Sequence, residues 1–240
     1  MLARFLIVVL VALIILGGCR AGLQVAGVVG SGRMTTQTYD FSRFDSVEIS
    51  DTFQVDLTAG DGYSVEVTVD DNLVDHLQVE QHGDTVKIGL KPLTSVSNSQ
   101  LRARITLPTL AGLDVSGASR AGVKGFRSDK TMQIQVSGAS EIRGDMETGD
   151  LAADVSGGST LQLSGRGGAV RAAASGASTI DLREFAAGDA DVEASGASRI
   201  EINTSGTLNA RASGASTVHY TGDATLGRVD ESGASTVGRR

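Results

Sequence analysis

A short block of small residues, Ser-Gly-Ala-Ser, constrains the fold of this chain more than any other feature of its sequence. The block begins at Ser116, Ser137, Ser175, Ser195, Ser213 and Ser232, and a variant, Ser-Gly-Gly-Ser, begins at Ser156. Successive blocks are 18–21 residues apart. A fixed period of about 20 residues is typical of a solenoid, in which each repeat forms one coil that stacks on the next.

The residues that flank each block alternate between apolar and polar, which is the pattern of a strand with one buried face. The second residue after each block is apolar in every copy: Ala121, Ile142, Leu161, Ile180, Ile200, Val218 and Val237. The third residue is mostly polar, as in Gln162, Asp181, Glu201 and His219. Because a strand precedes and follows each block, the block itself predicts a corner, where glycine can adopt a positive φ without strain.

These patterns predict an all-β fold, a single-domain parallel β-helix (β-solenoid) with about 20 residues per coil. Residues 35–240 are predicted to form one head domain, with irregular N-terminal coils over 35–112 and regular coils over 113–240. Residues 70–77 predict one helical turn with an aspartate cap. Stacked coils would place the serine hydroxyls above one another, so we expect hydrogen bonds along the serine columns.

The N-terminal segment predicts export. Arg4 precedes an unbroken apolar run, Phe5–Leu16, which is typical of a signal peptide and short for a bilayer span. The sequence Leu-Gly-Gly-Cys that follows resembles a bacterial lipobox and predicts a signal peptide over 1–18, lipidation of Cys19 and a flexible tether over 19–34. A plain signal peptide or an uncleaved anchor is the alternative. The predicted location is the bacterial cell envelope, at the outer membrane or the cell surface.

Charge and motifs exclude several functions. The formal net charge is −7 and no Lys/Arg cluster is present, so a nucleic-acid partner is not expected. Seven equivalent serines cannot all be nucleophiles, and the chain has only 3 histidines to serve as bases. The zinc-protease, phosphate-loop and paired-cysteine motifs are missing as well. We therefore predict no catalytic residues, no metal and no cofactor.

The candidate binding residues lie on the outward strand faces after the blocks: Thr160, Gln162, Thr179, Asp181 and Glu201. Stacking would bring Asp181 beside Glu201, and like charges in that position are destabilising. A bound cation, a nearby arginine (Arg183 or Arg199) or simple solvation could relieve the repulsion. The threonines would form a flat polar strip for a sugar or a protein, although threonine is also simply a good strand former. Arg120 and Glu141 would form an exposed pair across coils.

The chain resembles one family of bacterial proteins. The stretch FDSVEISDTFQVDLTAGDGYSVEVTVDDNL and the later runs of alternating residues around Ser-Gly-Ala-Ser are similar to the head GIN domain of putative autotransporter adhesins, over residues 37–237. The resemblance implies a right-handed β-helix in an exported protein, often a lipoprotein. It implies no catalytic residues, and its adhesive role is an expectation.

Two functions follow as hypotheses. The first is a non-enzymatic envelope lipoprotein, attached to the membrane through Cys19, that presents its β-helix for adhesion or for binding a polysaccharide or a surface protein. The alternative is a carbohydrate-active enzyme, a lyase or hydrolase, on the same scaffold. We also expect the last coil to have an open edge, which invites pairing with a second copy unless Arg239 and Arg240 blunt it by charge.

Overall fold

Two facing β-sheets made of stacked coils form the protein. The computed structural model describes residues 27–240, and it confirms the prediction of an all-β solenoid with roughly 20 residues per coil. Each regular coil contributes one strand to the first sheet, turns at a Ser-Gly-Ala-Ser block, and contributes the following strand to the second sheet.

The first sheet has ten strands, and all neighbours in it are parallel except the last pair. Their order across the sheet is β22 (Thr225–Glu231), β20 (Thr207–Ala212), β18 (Ala190–Ala194), β16 (Val170–Ala174), β14 (Leu151–Val155), β12 (Met132–Val136), β10 (Gly112–Val115), β3 (Ser46–Ile49), β7 (Thr85–Leu90) and β6 (Leu77–His82).

The second sheet has eleven strands. Their order is β2 (Met34–Tyr39), β5 (Ser64–Asp70), β9 (Leu101–Leu107), β4 (Gln54–Ala59), β11 (Arg120–Arg127), β13 (Glu141–Glu147), β15 (Thr160–Arg166), β17 (Thr179–Ala187), β19 (Arg199–Thr204), β21 (Thr217–Thr221) and β23 (Thr236–Arg239). A separate pair consists of β1 (Val28–Val29) and β8 (Val96–Ser97), and a 3-10 helix spans Asp71–His76.

The apolar columns predicted from the sequence fill the space between the sheets. Leu161, Ile180 and Ile200 lie opposite one another on successive strands, and all three side chains are fully buried. Burying such a side chain stabilises the fold by about 1.5–3 kcal/mol. The alternation of the sequence therefore sets both the register of the strands and the position of the core.

The predicted corners form at the blocks, and glycine is required there for two reasons. Gly176 and Gly196 both have a φ of +75°, which other residues rarely adopt. The amide of Ala177 donates to the carbonyl of Gly157 in the preceding coil at 2.8 Å. A Cβ atom on Gly176 would lie only 2.7 Å from that same carbonyl oxygen. The corners therefore stack backbone against backbone.

The last serine of each block is buried, except for Ser235 in the final block, but these serines do not form the serine-to-serine ladder that the sequence suggests. The Ser178 hydroxyl lies 2.8 Å from the Ser175 carbonyl, in its own block, and 2.9 Å from the Val155 carbonyl, in the preceding coil. Its distance to the Ser198 hydroxyl is 3.5 Å, at the limit of a hydrogen bond. Backbone carbonyls are closer than the next hydroxyl, so Ser178 fastens its corner to the backbone instead, and similar contacts recur at Ser198, Ser216 and Ser235. The buried Ser119 hydroxyl has no hydrogen-bond partner among residues 27–240.

Residues 35–112, for which the sequence predicts irregular coils, contain both parallel coils and antiparallel strands. The coil made by β3 and β4 lies between β10 and β11 on one side and β7 and β9 on the other, although β7 and β9 follow it in the sequence. Strands β2, β5 and β6 run antiparallel to their neighbours. Antiparallel strands can reverse the chain through a tight turn, whereas parallel ones need a longer crossover. This segment therefore forms a cap of two parallel coils, β3 with β4 and β7 with β9, which the antiparallel strands β2, β5 and β6 extend.

The coil made by β3 and β4 has a corner without glycine. Residues 50–53, Ser-Asp-Thr-Phe, stand between Ile49 and Gln54, where the register places residues 116–119 of the next coil. Asp51 and Thr52 have positive φ values of 61° and 67°. Phe53 is fully buried. The conformation of the corner is thus kept, while the serine position is taken by an aromatic side chain that fills the capped end of the core.

Part of the predicted tether, residues 27–34, belongs to the head, because β1 pairs with β8. The amide of Gly32 donates to one oxygen of the buried Asp70 carboxylate at 2.7 Å, and the amide of Gln100 donates to the other at 2.9 Å. The predicted helical turn is present as the 3-10 helix, but the Asp70 side chain does not cap it. Asp70 instead joins two loops of the cap.

The C-terminal end of the described chain has no comparable cap. Strands β22 and β23 each pair with one neighbour. Leu226 and Val229 lie opposite the buried Leu208 and Ala210, yet they are 49% and 38% exposed. The side chain of Arg240 turns back to Glu201, and that of Arg239, on the edge strand β23, donates to the Gly222 carbonyl. Self-association through this edge stays a prediction.

Candidate binding face

The five candidate residues predicted from the sequence lie together on the outward face of the second sheet. Thr160 lies opposite Thr179, and Gln162 lies opposite Asp181, which lies opposite Glu201. They occupy three neighbouring strands, β15, β17 and β19. The structure therefore assembles the predicted group into one polar patch, and its binding role stays a prediction.

Arginine accounts for the close approach of Asp181 and Glu201. Arg183 lies between them: its Nε is 2.8 Å from Asp181 Oδ1 and 2.9 Å from Glu201 Oε2, and its Nη2 is 2.5 Å from Asp181 Oδ2. Arg240 and Arg199 approach Glu201 at 2.7 and 3.6 Å. The hydrogen bonds from Arg183 hold the pKa of the Asp181 carboxyl below its usual range.

Simple solvation and a bound cation are both disfavoured for this pair of carboxylates. The Glu201 side chain is only 8% exposed, so the pair is not a freely solvated one. Arg183 is bound to both carboxylates and takes the place that a shared cation would occupy between them. Neutralisation by arginine therefore relieves the repulsion between Asp181 and Glu201.

A bulge in β17 positions Arg183. The register with β19 shifts between Leu182 and Ala186, so that three residues of β17 have no partner in β19. Phe185 within the bulge is fully buried and anchors it to the core. The sequence carries a signal for this feature, because the polar pair Arg183 and Glu184 interrupts the strict alternation.

The same arrangement of arginines around a carboxylate recurs at two other places on this face. Glu141 contacts Arg143 on its own strand and Arg120 on the neighbouring strand, at 3.6 Å for the latter. Of these contacts, the sequence indicated only the one between Arg120 and Glu141. Arg143 was recognisable only as an outward neighbour on the same strand.

The third arrangement joins Glu147 to Arg166 at 2.6 Å and to Arg127 at 3.6 Å. Hydrogen bonds from Arg166 lower the pKa of the Glu147 carboxyl. An open groove of about 410 Å³ lies beside these three residues. This group is not among the sites predicted from the sequence, although its members stand at nearly equal positions after successive blocks.

In all three groups the guanidinium groups lie outside the carboxylates. The carboxylate side chains are 8–34% exposed, whereas those of the arginines on β11–β19 are 47–78% exposed. Each group also has one more arginine than carboxylates. We call these exposed side chains, together with that of Arg240 on Glu201, the arginine layer: Arg120, Arg127, Arg143, Arg166, Arg183, Arg199 and Arg240.

The outward face of the first sheet is more acidic, although it also carries one carboxylate between two arginines, Asp230 with Arg228 at 2.6 Å and with Arg211 at 3.7 Å. Its ten strands carry 8 acidic and 4 basic residues, whereas the eleven strands of the second sheet carry 9 acidic residues, among them the buried Asp70, and 10 basic ones. On the first sheet, burial and then the nearby Glu48 raise the pKa of the Asp114 carboxyl. The two broad faces of one acidic chain therefore present different charges to a partner.

The predicted lipidation site, Cys19, and the predicted signal peptide lie outside the described residues. Within residues 27–240, no helix combines the length and the apolar character needed to cross a bilayer.

The chain matches one family model, and solved structures share its fold. The model of the family described as putative auto-transporter adhesin, head GIN domain, matches residues 43–224. A putative adhesin from Bacteroides fragilis has the same fold, with a TM-score of 0.80 and 18% identity over 89% of this chain and 100% of that one. No curated protein matches.

Two proteins from Parabacteroides also share the fold. A putative adhesin from Parabacteroides merdae gives a TM-score of 0.67 with 17% identity over 89% of this chain and 99% of that one. A putative lipid binding protein from Parabacteroides distasonis gives a TM-score of 0.64 with 19% identity, also over 89% and 99%. At these identities the likeness is one of fold.

Proposed function

The chain belongs to the family of putative auto-transporter adhesin head GIN domains, and from this premise we propose that it is an exported envelope protein that presents its solenoid to a partner. A lipid on Cys19 holds it at the membrane. The partner binds the outward face of the second sheet, and the protein acts by adhesion, without catalysis.

One observation carries this proposal: the second sheet offers a continuous polar face whose side chains stand in columns set by the coils. Neighbouring strands in a sheet lie about 4.8 Å apart. The polar groups of Thr160, Thr179 and Gln162 are therefore held at regular intervals on strands that pack on the core through their inner face and pair with a neighbouring strand on each edge. Such pre-organised groups bind a partner with little loss of conformational entropy.

The role of Cys19 is tested by fractionation. Replacing Cys19 with Ser in the full chain should move the protein from the membrane fraction to the soluble exported fraction, because it removes the thiol that receives the lipid. Recovery of the Cys19→Ser variant in the membrane pellet, as for the wild type, would show that the apolar N-terminal segment is itself the anchor.

Adhesion is tested by displaying the full chain on a non-adherent bacterial host. We expect retention on surfaces coated with polysaccharide or with other cells to exceed that of the host alone. Thr179→Glu on the second sheet should reduce retention about tenfold, a change of about 1.4 kcal/mol. The matched control, Gln133→Glu on the exposed face of the first sheet, should leave it unchanged. Equal losses for both variants would contradict the assignment of the face.

The alternative of a carbohydrate-active enzyme receives no support from this face. Enzymes of this kind often use two carboxylates, one to protonate the leaving group and one as a base or nucleophile. Asp181 and Glu201 are the paired carboxylates here, and both are bound by Arg183. Carboxylates that are bound by arginine in this way stabilise the surface. The geometry therefore favours a binding function over an enzymatic one.

A further inference from the structure

We infer that the arginine layer is a binding site for an acidic polysaccharide that lies across the coils of the second sheet. The inference rests on the proposed function, since it names the chemical class of the partner for the same face. It derives from the order of charges within the layer: carboxylates below, guanidinium groups above, and an excess of arginine in each group.

The arginines of the layer keep hydrogen-bond donors for a ligand. A guanidinium group has five N–H donors, and a carboxylate takes two of them even in the bidentate arrangement. Arg120 and Arg199 contact their carboxylates only at 3.6 Å and are 67% and 55% exposed. Most of their donors therefore point to solvent, and an anionic group that approaches from outside meets these donors before it meets Glu141 or Glu201.

The distance between the arginines of the layer suits a long, linear ligand. Arg120 and Arg199 belong to the same outward column, with Glu141, Thr160 and Thr179 between them. Four steps between neighbouring strands separate the two arginines by about 19 Å. A polysaccharide with carboxylates along its length can contact guanidinium groups at both ends of this span, while its hydroxyl groups hydrogen-bond to the threonines.

Other polyanions fit the face less well. A membrane surface would be expected to receive apolar side chains as well as arginine. The exposed large apolar residues among residues 27–240 do not lie in the patch of the arginine layer: Val29, Met34, Tyr63, Leu93, Leu226 and Val229. A nucleic acid demands a strongly basic surface, whereas each arginine group here has an excess of a single positive charge. Carboxylate-bearing sugars, with their lower charge density, suit such a surface.

The test uses the full chain in a nonionic detergent and fluorescently labelled polygalacturonate as the probe. The neutral comparison is the same polymer after complete methyl esterification, which removes its charge and keeps its backbone. We expect binding of the acid form, weakening as salt shortens the screening length from about 10 Å at 0.1 M to about 3 Å at 1 M. The ester should not bind.

Two double variants with the same change in net charge distinguish binding at this face from a general effect of positive charge. Arg120→Gln with Arg199→Gln leaves Arg143 on Glu141 and leaves Arg183 and Arg240 on Glu201, so the fold is kept. This double variant should lose affinity for polygalacturonate by about tenfold or more, because two charge-assisted contacts are removed. Arg171→Gln with Arg211→Gln removes the same charge from the first sheet and should change the affinity less than about twofold.

Three results would overturn the inference. They are equal losses in the two double variants, equal binding of the acid and its ester, and binding to anionic phospholipid vesicles but not to polygalacturonate. If displayed cells adhere and the adhesion survives Arg120→Gln with Arg199→Gln, the acidic-polysaccharide inference fails while the proposed function stands. If displayed cells adhere to no surface, the proposed function itself fails.

Discussion

The two ends of the solenoid differ in how completely the terminal strands and the apolar core are covered. A stack of parallel coils leaves unpaired strands and uncovered apolar residues at both ends. At the N-terminal end, antiparallel strands β2, β5 and β6 and the 3-10 helix cover the core, and Phe44, Phe53 and Leu73 are almost completely buried. At the C-terminal end of the described chain, Leu226 and Val229 remain substantially exposed.

The difference between the two ends shows that the repeated sequence specifies the structure of a coil but not the structure that closes the stack. Every block-containing coil has the same corner and the same inward columns, so nothing in the repeat distinguishes an inner coil from a terminal one. In a solenoid each coil is stabilised by its neighbours, and stability is roughly a sum of coil and interface contributions. We therefore expect equivalent substitutions to cost more at the capped end and in the middle than in the last coil.

The largest expected difference separates Phe53 from Leu226. Phe53→Ala removes a fully buried aromatic side chain from the capped core and should destabilise the protein by about 3–5 kcal/mol. Leu226→Ala removes a half-exposed side chain from the last coil and should cost less than about 1 kcal/mol. Denaturant unfolding of the two variants measures both values. Similar losses at the two sites would mean that the last coil is covered in solution.

Glycine to valine substitutions compare an inner corner with the terminal one. A Cβ atom would lie 2.7 Å from a carbonyl oxygen of the preceding coil at both Gly176 and Gly233, and both residues have positive φ. Gly176→Val should cost about 2–4 kcal/mol, because coils on both sides must adjust. Gly233→Val should cost less than about 1 kcal/mol, because the terminal coil can detach.

The local clash at these two glycines is the same, so any difference in the unfolding free energy reports the position of the coil alone. Equal and large losses would show that the terminal coil is as firmly held as the inner ones. A loss confined to Gly233 would contradict the stacked-corner description altogether.

Asp70 tests how the cap is fastened. Asp70→Ala would leave the amides of Gly32 and Gln100 without their acceptor and should cost about 2–3 kcal/mol. Asp71→Ala, at the neighbouring and only partly buried position, removes a hydrogen bond from Ser31 and an ion pair with Arg33, and it should change the unfolding midpoint less. Hydrogen exchange should locate the effect of Asp70→Ala in β1, β8 and the start of β9. Uniform loss of protection across all coils would show that the cap does not unfold separately.

The smallest expected effect is electrostatic and concerns the half nearer the open end. Arg183 lowers the pKa of Asp181 in the folded protein. A lowered pKa stabilises the fold above the ordinary value for aspartate, about 3.9, and the contribution is lost as the pH falls through the lowered value. Arg183→Gln should therefore reduce the Tm at pH 7, with a difference from the wild type that shrinks below about pH 3.9. A difference that persists unchanged in acid would assign the effect to packing.

Much of the fold was predictable because the signals are local and repeated. The spacing of the blocks gives the coil length, and the alternation around them gives the inward columns of Ile180 and Ile200 and the outward position of Asp181 and Glu201. Each of these predictions uses residues within one repeat and the assumption that like residues stack. The assumption is correct because a shift by one residue would turn every buried side chain outward.

The arginine groups were only partly predictable. The contact of Arg120 with Glu141 follows from the stacking of equal positions. The position of Arg183 depends on a bulge that shifts the register, and the contact of Arg240 with Glu201 joins residues that are 39 apart in the sequence. Long flexible side chains reach across coils, so their partners depend on the conformation of several strands at once.

The sequence by itself determined the repeating unit: the corner glycines, the buried columns and the acidic character of the chain. Only the tertiary structure decided how the stack is closed at one end, how the serine hydroxyls are bonded, and which face has guanidinium groups above its carboxylates. The physical reason is the range of the interactions. Backbone conformation and alternation act between neighbours in the sequence, whereas the cap, in which Asp70 joins Gly32 to Gln100, is held by contacts between distant segments that no repeat encodes.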